Sequence, residues 1–213
     1  IPAVPLALTK RRAFDPLHQR ALLRYYIDAG AEGLAVGVHT TQFAIRDPAI
    51  GLFEPVLRYA SEVIDAWSGY RGRPMFKLAG VCGGVDQAVR EAALARRLGY
   101  HAALVSLGAY DSEVAVDHLV AHCRAVAEVL PVVGFYLQPA VGGRVLPYDF
   151  WRGLVDLEGV IGIKIAPFNR YQTLDVIRAV QDAGRTGDIA LYTGNDDHIL
   201  HDLLTPFAFG DDA

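Results

Sequence analysis

Cysteine is almost missing from this chain. Two are present in 213 residues, Cys82 and Cys123, too few for a disulfide framework and without metal-ligand spacing. A reducing, cytoplasmic setting is the expectation that follows. No apolar run reaches the roughly 20 residues a spanning helix requires. The opening Ile1-Pro2-Ala3-Val4-Pro5 has no basic stretch of the kind that begins a secretory signal. A net charge of −4 leaves no cationic excess for nucleic acid or an anionic membrane. There is no dinucleotide fingerprint. Gly80-Val81-Cys82-Gly83-Gly84 lacks the spacing of a phosphate loop and reads as a tight turn. His39, His101, His118, His122, His198 and His201 lack the paired spacing of a catalytic metal site; His118 and His122, four apart, read as one face of a helix. Lysine is scarce: Lys10, Lys77 and Lys164 are three of 20 cationic side chains.

Against that scarcity, the stretch Val160-Ile161-Gly162-Ile163-Lys164-Ile165-Ala166-Pro167 stands out. It is a short apolar run closed by a proline, the pattern of a buried parallel strand. Alternation places Ile161, Ile163 and Ile165 on one face and Gly162, Lys164 and Ala166 on the other. The isoleucines call for a covering layer of helices. The lysine, between two tiny residues, calls for a confined interior. Burial disfavours an ammonium and lowers its pKa, and a lysine that is partly neutral is a nucleophile toward carbonyl carbon.

The rest of the chain supplies the setting. Strand patterns at 4–8, 33–38, 75–80, 102–107, 131–136, 160–166 and 189–193 alternate with helical patterns at about 16–30, 43–68, 86–98, 112–130, 148–157, 171–183 and 196–204. Seven strand–helix units of close to thirty residues predict a parallel sheet with right-handed crossovers. Small residues on one strand face and branched ones on the other favour a closed TIM (β/α)8 barrel over an open doubly wound sheet. No pattern for an eighth strand follows residue 204. The expectation is therefore a single barrel domain over residues 1–213, incomplete at its C-terminal end.

Active sites of such barrels lie at the C-terminal ends of the strands. Lys164 falls there, as do Tyr136 on the neighbouring strand and the loop His39-Thr40-Thr41-Gln42-Phe43. An amine condensing with a ketone needs proton shuttling, which a phenol beside a hydroxyl can supply. Hydroxyls and backbone N–H groups of a Thr-Thr loop suit a substrate carboxylate. Lys77 also lies inside a strand pattern, several residues before its end; a structural role is favoured, the alternative being a second interior lysine that lowers the pKa of Lys164 by charge.

These motifs resemble the dihydrodipicolinate synthase / N-acetylneuraminate lyase family, class I pyruvate-dependent aldolases. The resemblance runs from Pro2-Ala3-Val4-Pro5-Leu6-Ala7-Leu8-Thr9 through Ala31-Glu32-Gly33-Leu34, Leu78-Ala79-Gly80, Phe135-Tyr136-Leu137-Gln138-Pro139 and Gly162-Ile163-Lys164 to Thr193-Gly194-Asn195-Asp196. It implies a Schiff base on Lys164, a proton-relay phenol at Tyr136, a relay hydroxyl at Thr40 and carboxylate binding by Thr41. It further implies a 2-oxo acid such as pyruvate with an aldehyde as second substrate, no metal or organic cofactor because the imine is the electron sink, and a homotetramer or dimer. Tyr110 matches the tyrosine that relatives lend to a neighbouring subunit, and His39 stands where the family has glycine and would add a donor to the pocket. Val141 occupies the place of the synthase's carboxylate-binding arginine, with Arg144 nearby, so the true synthase reaction is not expected. The alternative is a non-catalytic binding or regulatory protein for a 2-oxo acid or sugar acid on the same barrel.

Overall fold

The computed structural model describes residues 1–209, which fall into two compact units: Ile1–Val81 with Arg90–Leu104, and Cys82–Val89 with the chain from Val105 onward. Six strands are present among these residues: β1 (Gly33–Val36), β2 (Phe76–Val81), β3 (Ala102–Val105), β4 (Val132–Leu137), β5 (Val160–Ala166) and β6 (Ala190–Thr193). The helices are α1 (Pro16–Asp28), α2 (Phe53–Arg71), α3 (Val85–Arg97), α4 (Val116–Ala127), α5 (Tyr148–Val155), α6 (Arg170–Asp182) and α7 (Ile199–Leu204). This is the parallel α/β alternation of a (β/α)8 barrel. No eighth strand occurs among the described residues.

One predicted strand is missing. In place of a strand over 4–8, this segment makes only two isolated bridges, Ala3 with Ala35 and Leu8 with Phe14. Pro2 and Pro5 carry no N–H, so a ladder against β1 cannot extend. What remains is the pair of bonds from Val4 N–H to Ala35 C=O and from Ala35 N–H to Pro2 C=O.

In the first unit, β1 and β2 are parallel neighbours, with Leu34 opposite Lys77. α1 begins as its sequence requires: Asp15 accepts the His18 N–H and Pro16 fills the first turn, satisfying one orphan donor and removing another. Lys77 leaves the sheet toward α2. Its Nζ donates to both carboxylate oxygens of Asp65, at 2.6 and 2.7 Å, and to Ser61 Oγ at 3.0 Å. Both partners are helical, so Lys77 braces α2 against the sheet, the structural role its position implied.

In the second unit, β4, β5 and β6 lie side by side in sequence order, all parallel. Trp151, Phe150 and Leu154 of α5 are fully buried and cover one face. A Cβ on Gly134 would sit 2.8 Å from Leu154 Cδ2 and 3.5 Å from the Trp151 ring, so even-numbered positions of β4 face this helix. The β4–β5 ladder contains one irregularity. Val132 pairs with Val160, but Val133 pairs with Gly162. Ile161 is thus an extra residue, a bulge that shifts every later pair by one. It is 37% exposed, while Ile163 and Ile165 are buried. The predicted covering of three isoleucines holds for two of them.

Asp65 is itself 62% exposed, so its charge is partly screened, and the main effect of removing it is a buried ammonium left on one hydroxyl. Asp65→Ala is expected to destabilise the fold by about 1–3 kcal/mol, read from urea unfolding. An unchanged midpoint would show that Lys77 needs no partner.

Candidate active site

Lys164 lies near the C-terminal end of β5, half-buried. Its face is shared by its register partners, Phe135 on β4 and Tyr192 on β6. Lys164 Nζ stands 5.0 Å from the centre of the Phe135 ring. A Cβ on Gly194 would stand 3.0 Å from Lys164 Cε, so the stem packs closely over that glycine. Lys164 makes no salt bridge among the described residues. Burial holds its pKa below that of an ordinary lysine, while the carboxylate of Asp196 pulls the other way. The strand therefore presents a desolvated amine, as its sequence implied.

Tyr136 does not meet it. Counting regularly from the Val132–Val160 pair would set Tyr136 opposite Lys164. The bulge at Ile161 instead sets Phe135 there and Tyr136 opposite Ile165. Tyr136 points to the helix side, fully buried, its ring 5.1 Å from that of Trp151. Its hydroxyl donates to the Leu146 carbonyl at 3.2 Å and accepts the Leu146 N–H at 3.1 Å. Burial pushes its pKa up. In this structure the phenol is bonded to backbone on the face opposite Lys164.

Tyr110 and Arg144 are both engaged by groups of this chain. Tyr110 is not extended toward a neighbour: its hydroxyl lies 2.8 Å from His122 Nδ1, and its ring packs edge-on against His118 and His122 of α4. His122 is fully buried and its pKa falls to about 4 through burial, with His118 adding to the effect. It is neutral near pH 7 and serves as a partner for the phenol. Arg144 does not present its fork to a ligand. Its guanidinium donates to the carbonyls of Asp111 at 2.6 Å, Ser112 at 3.3 Å and Val114 at 3.5 Å, fixing the loop that carries Tyr110.

The threonine loop belongs to the first unit. Thr41 is buried, and its hydroxyl donates to Val4 C=O at 2.7 Å and accepts the Gly37 N–H at 3.1 Å. Its own N–H goes to Val38 C=O. With hydroxyl and amide both committed, Thr41 closes the turn after β1 and has no donor left for a carboxylate. Thr40 and His39 are exposed, and the His39 ring packs edge-on against Phe43. Arg46 went unnoticed in the sequence. Its Nε reaches both oxygens of Glu91 at 2.9 and 3.0 Å, and Nη2 reaches the carbonyls of Gly37 and Gly80 at 3.0 and 2.9 Å, joining the ends of β1 and β2.

The family model of the dihydrodipicolinate synthetases matches residues 1–207. The chain belongs to that family. No curated protein sequence matches it. Among solved structures, it is similar to the family protein YagE of Escherichia coli K12 in complex with pyruvate, at 24% identity and TM-score 0.81, covering 95% of this chain and 65% of that one. It is also similar to the dihydrodipicolinate synthase DapA-2 of Bacillus anthracis, at 20% identity and TM-score 0.79, covering 94% and 64%. The chloride-inhibited synthase of Acinetobacter baumannii, complexed with pyruvate, gives 20% identity and TM-score 0.77, covering 93% and 64%. The chain thus spans less than two thirds of the length of these proteins. At such identities the likeness establishes the fold.

Two outcomes follow from the geometry. Tyr136→Phe leaves the buried Leu146 amide and carbonyl without their partner, so it should cost about 1–3 kcal/mol of stability, while labelling of Lys164 by an amine-acylating reagent stays unchanged in the folded protein. Asp196→Asn removes the carboxylate that favours protonation of Lys164, so the pH midpoint of that labelling, followed by peptide mass spectrometry, should move lower. A midpoint that moves up would reverse the electrostatic assignment.

Proposed function

We propose that this protein is an imine-forming aldolase or lyase acting on a 2-oxo acid such as pyruvate, with Lys164 as the nucleophile. The observation that carries the reading is the environment of that amine: desolvated, free of any salt bridge among the described residues, and facing an aromatic ring near the end of a barrel strand. The pyruvate complexes of two structural neighbours support the choice of substrate.

The chemistry follows from those surroundings. A neutral Lys164 adds to the ketone carbon, the carbinolamine loses water, and the cationic imine withdraws electrons from the adjacent carbon. Loss of a proton there gives an enamine that adds to an aldehyde; the reverse sequence cleaves a carbon–carbon bond. No metal or organic cofactor takes part in this sequence. The face of Phe135 stabilises a cation by about 0.5–2 kcal/mol, and the imine is cationic. That contact favours the intermediate as well as the resting ammonium, so desolvation has to supply the neutral amine.

The second substrate differs from that of a true synthase. Val141 is apolar where the resemblance asks for a carboxylate-binding arginine, and Arg144 is spent on loop carbonyls. An aldehyde without a carboxylate fits better. Cytoplasmic location and a dimer or tetramer remain part of the proposal by family likeness. A reversible, non-covalent binder of 2-oxo acids is the second reading. Tyr136 turned from Lys164 and Thr41 committed to its own loop favour it.

Covalency separates the two. Borohydride reduction with pyruvate should leave a stable adduct on Lys164, found by peptide mass spectrometry and absent from Lys164→Ala. Saturable pyruvate binding without an adduct, also with larger 2-oxo acids, would establish the binder instead. Lys77, on the helix side, should stay unmodified in both cases.

A further inference from the structure

The ladder between β5 and β6 ends at the pair Ile165 and Thr193. One further bond extends it, from Gly194 N–H to the Ile165 carbonyl at 2.7 Å. Beyond that the two chains part, one toward Phe168 and the other toward Asp196. The side chain that holds them together is Asn195, 3% exposed. Its Oδ1 accepts the Phe168 N–H at 3.0 Å, and its Nδ2 donates to Thr173 Oγ1 at 3.1 Å and to Asp202 Oδ2 at 2.9 Å. Asp202 Oδ2 also takes the Thr193 hydroxyl at 2.6 Å. A carboxamide offers one oxygen and two N–H groups, and all are engaged. One side chain thus ties the turn after the lysine strand to α6, to α7 and, through Asp202, to the end of β6.

What this knot holds is the cover of the amine. Gly194, directly before Asn195, lies so close to the lysine that a Cβ there would stand 3.0 Å from Lys164 Cε and 3.0 Å from Ala166 Cβ. Its backbone is therefore part of the wall that separates the stem from water. Asp196, directly after Asn195, carries the carboxylate that acts on Lys164. The other neighbours across the sheet are Phe135, which is uncharged, and Tyr192. Among the described residues no hydrogen bond joins Asn195 to Lys164, so Asn195 reaches the amine through its two chain neighbours. Of the two influences on that amine, burial is the larger and the charge of Asp196 the smaller.

We propose that Asn195 is a positioning residue of the Lys164 site: its buried carboxamide keeps Gly194 seated over the lysine stem and so keeps the amine dry. The proposal deepens the imine reading and rests on it for its purpose, since an amine adds to a ketone only when it is neutral. Burial disfavours the ammonium. Without the carboxamide, Phe168, Thr173 and Asp202 lose their common partner and Gly194 lifts from the stem. Water then reaches the lysine, the ammonium regains its hydration, and the neutral fraction at a given pH falls. An aspartate could not stand in: it would keep an acceptor for the Phe168 N–H but set a second carboxylate against Asp202.

The test is the pH midpoint of Lys164 acylation in the intact protein, followed by peptide mass spectrometry, with the fold checked by circular dichroism at the same temperature. Asn195→Ala should raise the midpoint toward that of an ordinary lysine; a rise of about one pH unit lowers the acylation rate below the midpoint about tenfold. The rise should persist in an Asp196→Asn background, because it comes from burial and not from charge. Thr173→Val removes one acceptor of the carboxamide without touching Gly194. It should move the midpoint the same way by less, and it carries the test if Asn195→Ala does not fold. Asp65→Ala, which weakens the fold in the other unit, should leave the midpoint where it is. An unchanged or lower midpoint in folded Asn195→Ala, or in Thr173→Val where Asn195→Ala does not fold, would overturn the proposal and leave Asn195 a structural amide. An equal rise in Asp65→Ala would overturn it too, as a general loosening. Acylation reads the amine without any imine, so failure to trap pyruvate would count against the imine reading alone.

Discussion

One extra residue in β5 decides what surrounds the amine. Ile161 bulges between two ladder pairs, and every pair after it is displaced by one. Because side chains alternate with a period of two, a one-residue displacement exchanges the faces of a whole strand. Phe135 is thereby placed against Lys164, and Tyr136 is handed to Trp151 and Leu146. The apolar wall beside the lysine descends from that displacement and contributes to the burial that lowers its pKa. The bulge also accounts for the one isoleucine of β5 that lies in solvent.

The same displacement marks where the sequence was legible and where it was not. The limits of the lysine strand, 160–166, match those of β5, because an apolar run ended by proline leaves little choice. The division into a small face and a branched face was correct as well: Gly162, Lys164 and Ala166 face Tyr192 and Phe135, while Ile163 and Ile165 are covered. Tyr136 shares its face with Gly134, as strand alternation requires. What could not be read was which face of β4 meets which face of β5, since nothing in Val160-Ile161-Gly162 announces a bulge.

Thr40 and Thr41 show a second kind of limit. Two adjacent hydroxyls in a loop look equivalent in sequence, but a tight turn after a strand consumes one of them. Thr41 spends its hydroxyl and its amide on Val4, Gly37 and Val38, and Thr40 is left exposed. Arg144 and Tyr110 repeat the pattern: residues with ligand-binding chemistry are used to fasten the loops they sit on. Motif matching reports what a side chain can do, whereas the hydrogen-bond inventory of the folded chain fixes what it is still able to do.

The segment after the lysine strand has a thermodynamic consequence of its own. Phe168 holds a φ of 55°, a left-handed conformation that costs a non-glycine residue about 1–2 kcal/mol. Its N–H is taken by Asn195 Oδ1 at 3.0 Å, and Asn195 Nδ2 in turn donates to Thr173 and Asp202. The strain is thus met once, when the chain folds, by a buried amide that ties the segments following β5 and β6 together. A ligand arriving at Lys164 finds that segment already ordered. Its binding free energy is not diminished by the entropy of arranging it, and affinity there is set by the contacts the ligand makes rather than by the loop it would otherwise have to arrest.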